Sequence, residues 1–350
     1  MSEHPYKSFP DTSFWSRAVA NGRFAPQSIV TETAPLLEAG EKVASAGSCF
    51  ASNVVPYLEP AGFPYVRTEM AHPNFNAPPN PQYGYHAFSA AYGHIYTTRQ
   101  LKQLLLRALG RFKPVDDRFH QNGEVVDAFR PGLQFNAWSD REFDLLTRQH
   151  LDYTLDAIRQ ADVFIFTLGL TECWASAKDG AVYPACPGTI AGAFDAAAHV
   201  FVNLTSSEVR SEVGDIVGLM REINPKIRLI LTVSPVPLVA TATPRHVVPA
   251  TIYSKSALVC AAVEASGALA GVRYFPSYEI ITGPQAPESF FEADRRNVSA
   301  QGIETVMAVL LAHTAAGAAQ PAAPPPAPDV QALAEEIVRI ECEEMAADRR

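Results

Sequence analysis

Five short apolar runs mark the body of the chain, and helical periodicity separates most of them. Lys42–Gly47 predicts a first strand that ends in small residues, and Pro64–Arg67 predicts a second. Ala161–Gly169 contains VFIFTLG, a β-branched and aromatic run behind a helical segment at Arg148–Gln160. Ile227–Val233 follows an amphipathic helix at Ser207–Ile223, and Val272–Phe275 follows a helix at Ser254–Ala265. Strands that read as unbroken apolar runs, with helices between them, imply a parallel sheet covered on both faces. The predicted class is therefore α/β, with about five strands. Residues 70–140 are rich in Pro, Asn, Gly and aromatics and read as a long insertion carrying one helix, Thr98–Leu109.

The pattern changes near residue 314. Residues 314–329 form an Ala/Pro-rich stretch that cannot bury a core, so a linker is expected there. Asp329 is placed to cap a helix at Val330–Met345, within a C-terminal segment 330–350. Val330, Leu333, Ile337 and Ile340 make an apolar stripe on it. That stripe suits either docking to a partner or another copy, or packing back on the chain's own domain. The expected organisation is one domain over 1–313, the linker, and the helix.

Composition narrows the function classes. The chain has 350 residues, 47% of them hydrophobic and 19% charged, which supports a sizeable core and excludes wholesale disorder. The formal net charge is −9 and no Lys/Arg-rich run occurs, so no nucleic-acid partner is expected. No unbroken apolar run is long enough for a membrane span. Residues 1–7 lack the apolar core of a signal peptide, and a cytoplasmic location is the expectation. The five cysteines are widely spaced with no CxxC pair, which disfavours a disulfide framework or a four-cysteine zinc site. No metal and no cofactor are expected.

In an open α/β sheet, ligands bind beyond the carboxyl ends of the strands, so candidate chemistry is sought there. Gly47-Ser48-Cys49-Phe50-Ala51 follows the first strand. A serine on a tight turn before a helix can be a nucleophile, with the amides that follow, Cys49 first, facing an oxyanion. It can equally be a plain N-cap. Gly169-Leu170-Thr171-Glu172 follows the third strand; Thr171 and Glu172 can contact substrate or cap a helix. A proline-marked loop after the fourth strand carries Arg245 and His246, the latter a candidate general base or a solvated loop residue. Asp294 precedes the last helical pattern and can orient a base, pair with Arg295 or Arg296, or cap the helix.

Several stretches together resemble one family. GSCFA at 47–51 is the name-giving motif of the GSCFA family. YGHIYTTRQLKQLLLRALG at 92–110, DAFRP at 127–131, FTLGLTECW at 166–174 and PGTIAGAFD at 187–195 are also similar to it. So are SPVPLVATATPRHV at 234–247 and YSKS at 253–256. The resemblance implies membership of the SGNH, or GDSL-like, hydrolases: a flavodoxin-like three-layer α/β/α fold and serine chemistry on esters, often of carbohydrates. It implies Ser48 as nucleophile and matches Gly93 to a second-block glycine. Gly169 and Thr171 fall where those enzymes carry Gly-x-Asn-Asp, so Thr171 stands where the oxyanion Asn is expected. Asp294-Arg295-Arg296-Asn297 replaces Asp-x-x-His, and an amide cannot take the serine proton. The base is therefore sought elsewhere: His246 first, with Asp294 to orient it, and His94 second.

Two classes of function follow. One is a serine-dependent ester hydrolase or acyltransferase on an acylated carbohydrate or polysaccharide precursor. The other is a degenerate hydrolase fold that binds an anionic sugar or sugar nucleotide through Arg99, Arg130 and Arg245. Each of those arginines can also be an ordinary ion pair.

Overall fold

The computed structural model describes residues 4–69, 88–133 and 136–315. The predicted linker and C-terminal helix lie outside the described residues, apart from the linker's first two positions. Short turns, with α1 at Trp15–Ala18, lead into strand β1 at Val43–Gly47. A 3-10 helix at Cys49–Val54 and α2 (Val55–Leu58) follow. Then come α3 (Thr98–Ala108), the strands β2 (Arg118–Gln121) and β3 (Glu124–Asp127), α4 (Asp140–Gln160) and β4 (Val163–Leu168). β5 (Glu172–Ser176), β6 (Val182–Tyr183) and β7 (His199–Asn203) precede α5 (Ser206–Ile223) and β8 (Arg228–Val233). The fold closes with α6 (Val247–Ala268), β9 (Val272–Phe275), α7 (Ser277–Thr282) and α8 (Ala300–Ala312).

The central sheet has four parallel strands in the order β1-β4-β8-β9. Its side chains alternate between two cores, as the period of a strand requires. Ala44, Ala46, Phe164, Phe166, Leu229 and Leu231 enter one core, which also holds residues of α3, α4, α5 and α6. Val43, Val163, Ile165 and Ile230 enter the other, with residues of α2, α7 and α8. The result is the three-layer arrangement that the apolar runs predict. α6 has the length and composition to cross a membrane, yet here it packs on β8, β9 and α5 as a core helix.

Pro64–Arg67 departs from expectation. Tyr65 makes a single parallel bridge with Val43, on the free side of β1. The Thr68 amide then turns away to the Ser89 carbonyl, so no ladder develops. Placing this bridge second gives a 2-1-3-4-5 order, the flavodoxin-like one, with its switch point between β1 and β4. Two helices begin earlier than the sequence suggests. Ser139 accepts the Glu142 amide and starts α4 well before Arg148, and His246 caps α6 well before Ser254. Pro249 sits in the first turn of α6, where the ring costs no helical bond. The antiparallel elements β2–β3 and β6-β5-β7 carry no comparable apolar run and escape the sequence pattern.

Candidate functional site

Gly47, Thr167, Thr232 and Phe275 form one register row at the carboxyl end of the sheet. Ser48 is the next residue, at the switch point. Two glycines allow the strand ends to close on it. Gly47 has φ +154°, and a Cβ there would lie 2.6 Å from the Thr167 carbonyl oxygen. A Cβ on Gly169 would lie 3.0 Å from the Ser48 Cβ. The Tyr92–Thr97 segment lies across both strand ends. The Ile95 amide donates to the Gly47 carbonyl at 2.9 Å, and the Gly169 and Leu170 amides both donate to the Tyr96 carbonyl. Gln100 fixes this segment, accepting from the Tyr96 amide and donating to the His94 carbonyl.

Ser48 caps the 3-10 helix by position but not by its side chain. Its Oγ is buried and, among the described residues, has no hydrogen-bond partner. It faces a shallow, tight pocket also lined by Cys49, Tyr96, Gly169, Leu170, Ser234, Val236 and Lys255. Lys255 is 1% exposed, and its Nζ donates to the Gly169 carbonyl at 2.6 Å. It thus holds the peptide that faces the serine.

The sequence points to Ser48, Cys49 and Gly169 at this site, and the structure brings them together. His94 is buried beside it, its ring packed on Phe88 and Tyr96. Gly93 turns the chain there with φ +66°. The remaining candidates sit elsewhere or are engaged. His246 is exposed, its Nδ1 accepts the Val248 amide, and it does not line the pocket. Asp294 spends both carboxylate oxygens on its own loop: Oδ1 takes the Arg296 and Asn297 amides, and Oδ2 takes the Asn297 Nδ2. Thr171 donates its hydroxyl to Asn203 and its amide to Ser254. Glu172 accepts from Thr241 and from the Ala242 amide, and burial pushes its carboxyl up. Arg99 pairs with Glu208 and Glu212, and Arg130 with Asp127 and Glu69. Arg245 is exposed, 5.8 Å over the Tyr253 ring.

Sequence reasoning misses Lys255 as a site residue, although a signal exists. It falls on a helical stripe with Leu258 and Ala262, where a lysine breaks an apolar face. Buried lysines need a stated partner, and this one has the strand-end carbonyl beside Ser48.

The parallel sheet β1-β4-β8-β9 with helices on both faces defines the class, an α/β protein. The chain belongs to the GSCFA family, whose model matches residues 42–309. Among curated proteins there is no match. Solved structures that resemble it include a carbohydrate esterase family 3 protein from Talaromyces cellulolyticus, at 10% identity over 77% of this chain and 94% of that one, TM-score 0.35. Another is a mutant acetyl esterase with acetate ion, at 11% identity over 77% and 93%, TM-score 0.34. A third is a carbohydrate esterase family 2 enzyme plus carbohydrate binding domain from Corynascus thermopiles (Myceliophthora fergusii). It is 13% identical over 81% of this chain and 68% of that one, TM-score 0.28.

Proposed function

We propose that this chain is an SGNH-type, serine-dependent ester hydrolase or acyltransferase with Ser48 as its nucleophile, acting on an acylated carbohydrate. The observation that carries this reading is the buried, partnerless Ser48 hydroxyl at the switch point of the sheet. A buried hydroxyl without a partner costs stability, and such costs concentrate where chemistry needs an available atom. In the reaction, Ser48 Oγ attacks the acyl carbon while its proton passes to a base. The carbonyl electrons move to oxygen and return, the sugar alcohol leaves with a proton, and an acyl-serine remains. Water then gives hydrolysis, and a second sugar hydroxyl gives transfer. The carbohydrate substrate follows the family resemblance.

The base must come within hydrogen-bond reach of Oγ. Lys255 already lines the pocket. His246 enters only by surrendering the Val248 amide, because Nδ1 accepts that bond and the neutral ring then carries its proton on Nε2. One observation favours the binding-protein reading instead: among the described residues no imidazole lines the Ser48 pocket.

A fluorophosphonate probe on wild type and Ser48→Ala, read by intact mass, separates the two. The enzyme reading expects one adduct on wild type and none on the variant. An unlabelled wild-type protein that is folded by circular dichroism rejects it in favour of the binding protein.

A further inference from the structure

A second cleft lies against the segment that walls the Ser48 pocket. Tyr92 and Ile95 line this one, whereas Tyr96 lines the other. It encloses about 20 Å³, room for roughly one water, below an open mouth, and its ionisable lining is Arg107, Arg130 and His150. The acids behind them are spent. Asp127 Oδ2 takes Arg130 Nε at 2.8 Å, and Oδ1 takes the Phe129 amide at 2.8 Å. Glu69 Oε1 faces Arg130 at 3.4 Å, and Oε2 takes His150 Nδ1 at 2.6 Å and the Ala91 amide at 2.9 Å.

Arg107 is the exception. It is 8% exposed and its Cζ lies 4.2 Å over the Phe129 ring. Among the described residues its guanidinium has no hydrogen bond and no ion pair, and Asp127 and Asp117 reach it only through space. A guanidinium does not shed its proton in a protein, so the charge remains and burial penalises it. A buried charge is expected to be met by an opposite one, and here the open mouth of the cleft lets a carboxylate head approach from solution. Ile95, Leu104, Phe129 and Val182 give the remaining wall an apolar part, beside Gln100 and Gln103, whose side-chain amides are spent on backbone groups. A planar carboxylate matches the guanidinium fork in two parallel bonds, and a short apolar stem suits that wall.

We propose that this cleft is a binding site for a small carboxylate with a short apolar stem, gripped by Arg107 and separate from the Ser48 pocket. The test uses the full chain and thermal unfolding in propionate, phosphate or chloride at equal ionic strength. At about 50 mM propionate, binding in the millimolar range raises the wild-type Tm by about 2–4 °C, saturably. The rise is absent in Arg107→Met, which removes the charge but keeps an apolar stem over Phe129. In chloride that variant melts at or above wild type, because a buried cation without a hydrogen-bonded partner has gone. Arg107→Lys keeps the charge without the fork and needs about tenfold more propionate for the same rise. Ser48→Ala responds as wild type, which separates this site from the serine pocket. Persistence of the propionate effect in Arg107→Met overturns the proposal. So does an equal rise with phosphate or chloride, or no rise in wild type.

Discussion

The Glu69–His150–Arg130–Asp127 network and the Ser48 pocket are both buried, both polar, and both bounded by the Tyr92–Thr97 segment. They are built on opposite terms. In the network each carboxylate takes two or more donors, and Arg130 bridges the two acids. In the pocket a hydroxyl is left without a partner, while the groups around it are held by others: Gly169 by Tyr96 and Lys255, Gly47 by Ile95. The network fixes long-range contacts, joining residue 69 to residues 91, 130 and 150. The pocket spends its hydrogen bonds on the frame and none on the serine. Stability asks that every buried polar atom be satisfied. Reactivity asks that one atom be left available in a rigid surround.

The largest effect that tests this contrast is the loss of Arg130. Arg130→Ala strands Glu69 and Asp127, and breaking a buried pair by removing one partner costs about 3–5 kcal/mol. Urea unfolding of Arg130→Ala beside Ser48→Ala is the measurement. Ser48→Ala removes a buried, unsatisfied hydroxyl and is at or above wild type in stability, by up to about 1–3 kcal/mol. Equal losses in the two variants would erase the distinction between network and pocket.

Acidification probes the same contrast with a smaller effect. Burial pushes the Glu69 carboxyl up, but His150 and Arg130 outweigh it and hold it down at about 2. Burial and the nearby Arg130 charge also push His150 below its ordinary value, against the pull of Glu69. Both folded-state values are depressed, so in each case the unfolded chain binds the proton more readily. Stability from His150 is complete above pH about 6.5 and is lost below it. Stability from Glu69 is lost as pH falls from about 4.5 towards 2. Urea midpoints should therefore fall on acidification in wild type and in Ser48→Ala alike. Glu69→Gln, less stable at neutral pH, should show a flatter profile below pH about 4.5. An unchanged slope in that variant would remove Glu69 from the acid response.

Much of the frame is legible in the sequence because it rests on local pattern. The runs at 43–47, 163–168 and 228–233 are nearly unbroken apolar stretches and 272–275 is a shorter one interrupted by Arg273, so their composition finds them and places Ser48 just past the first. The bridge at Tyr65 is not legible as a bridge, since a tertiary contact at Ser89 stops the strand. The network is not legible either. Glu69 and His150 lie far apart in sequence and read as ordinary surface residues until the fold buries them. Arg99 and Arg130 stand out as cations, and Asp127 lies three residues before Arg130, but the partners at 208, 212 and 69 are distant in sequence. Lys255 shows the limit on the site side: YSKS is visible as a motif, yet only the fold brings its lysine to Gly169.

The smallest loss of stability belongs to His246, and it bears directly on how the serine is activated. His246 caps α6, an exposed role whose loss costs about 0.5–1 kcal/mol. Lys255 sits nine residues further along that helix, about 13 Å along its axis, where it lines the serine pocket and its Nζ donates to the Gly169 carbonyl. The two residues therefore make opposite predictions for one readout. In His246→Ala, fluorophosphonate labelling of Ser48 should stay within about threefold of wild type, because the imidazole is engaged as a cap. In Lys255→Met, labelling should fall by about tenfold or more, the low end of what a proton-transfer or positioning group supplies. That variant also leaves the Gly169 carbonyl short of a donor, at about 1–3 kcal/mol. Labelling rates are compared at a denaturant-free temperature where all variants are folded, so that stability does not enter. If His246→Ala instead loses labelling as fully as Ser48→Ala, and the double variant loses no more, the two act as one unit. The α6 cap must then open during the reaction, and the sequence-based pairing of Ser48 with His246 holds over the pocket geometry.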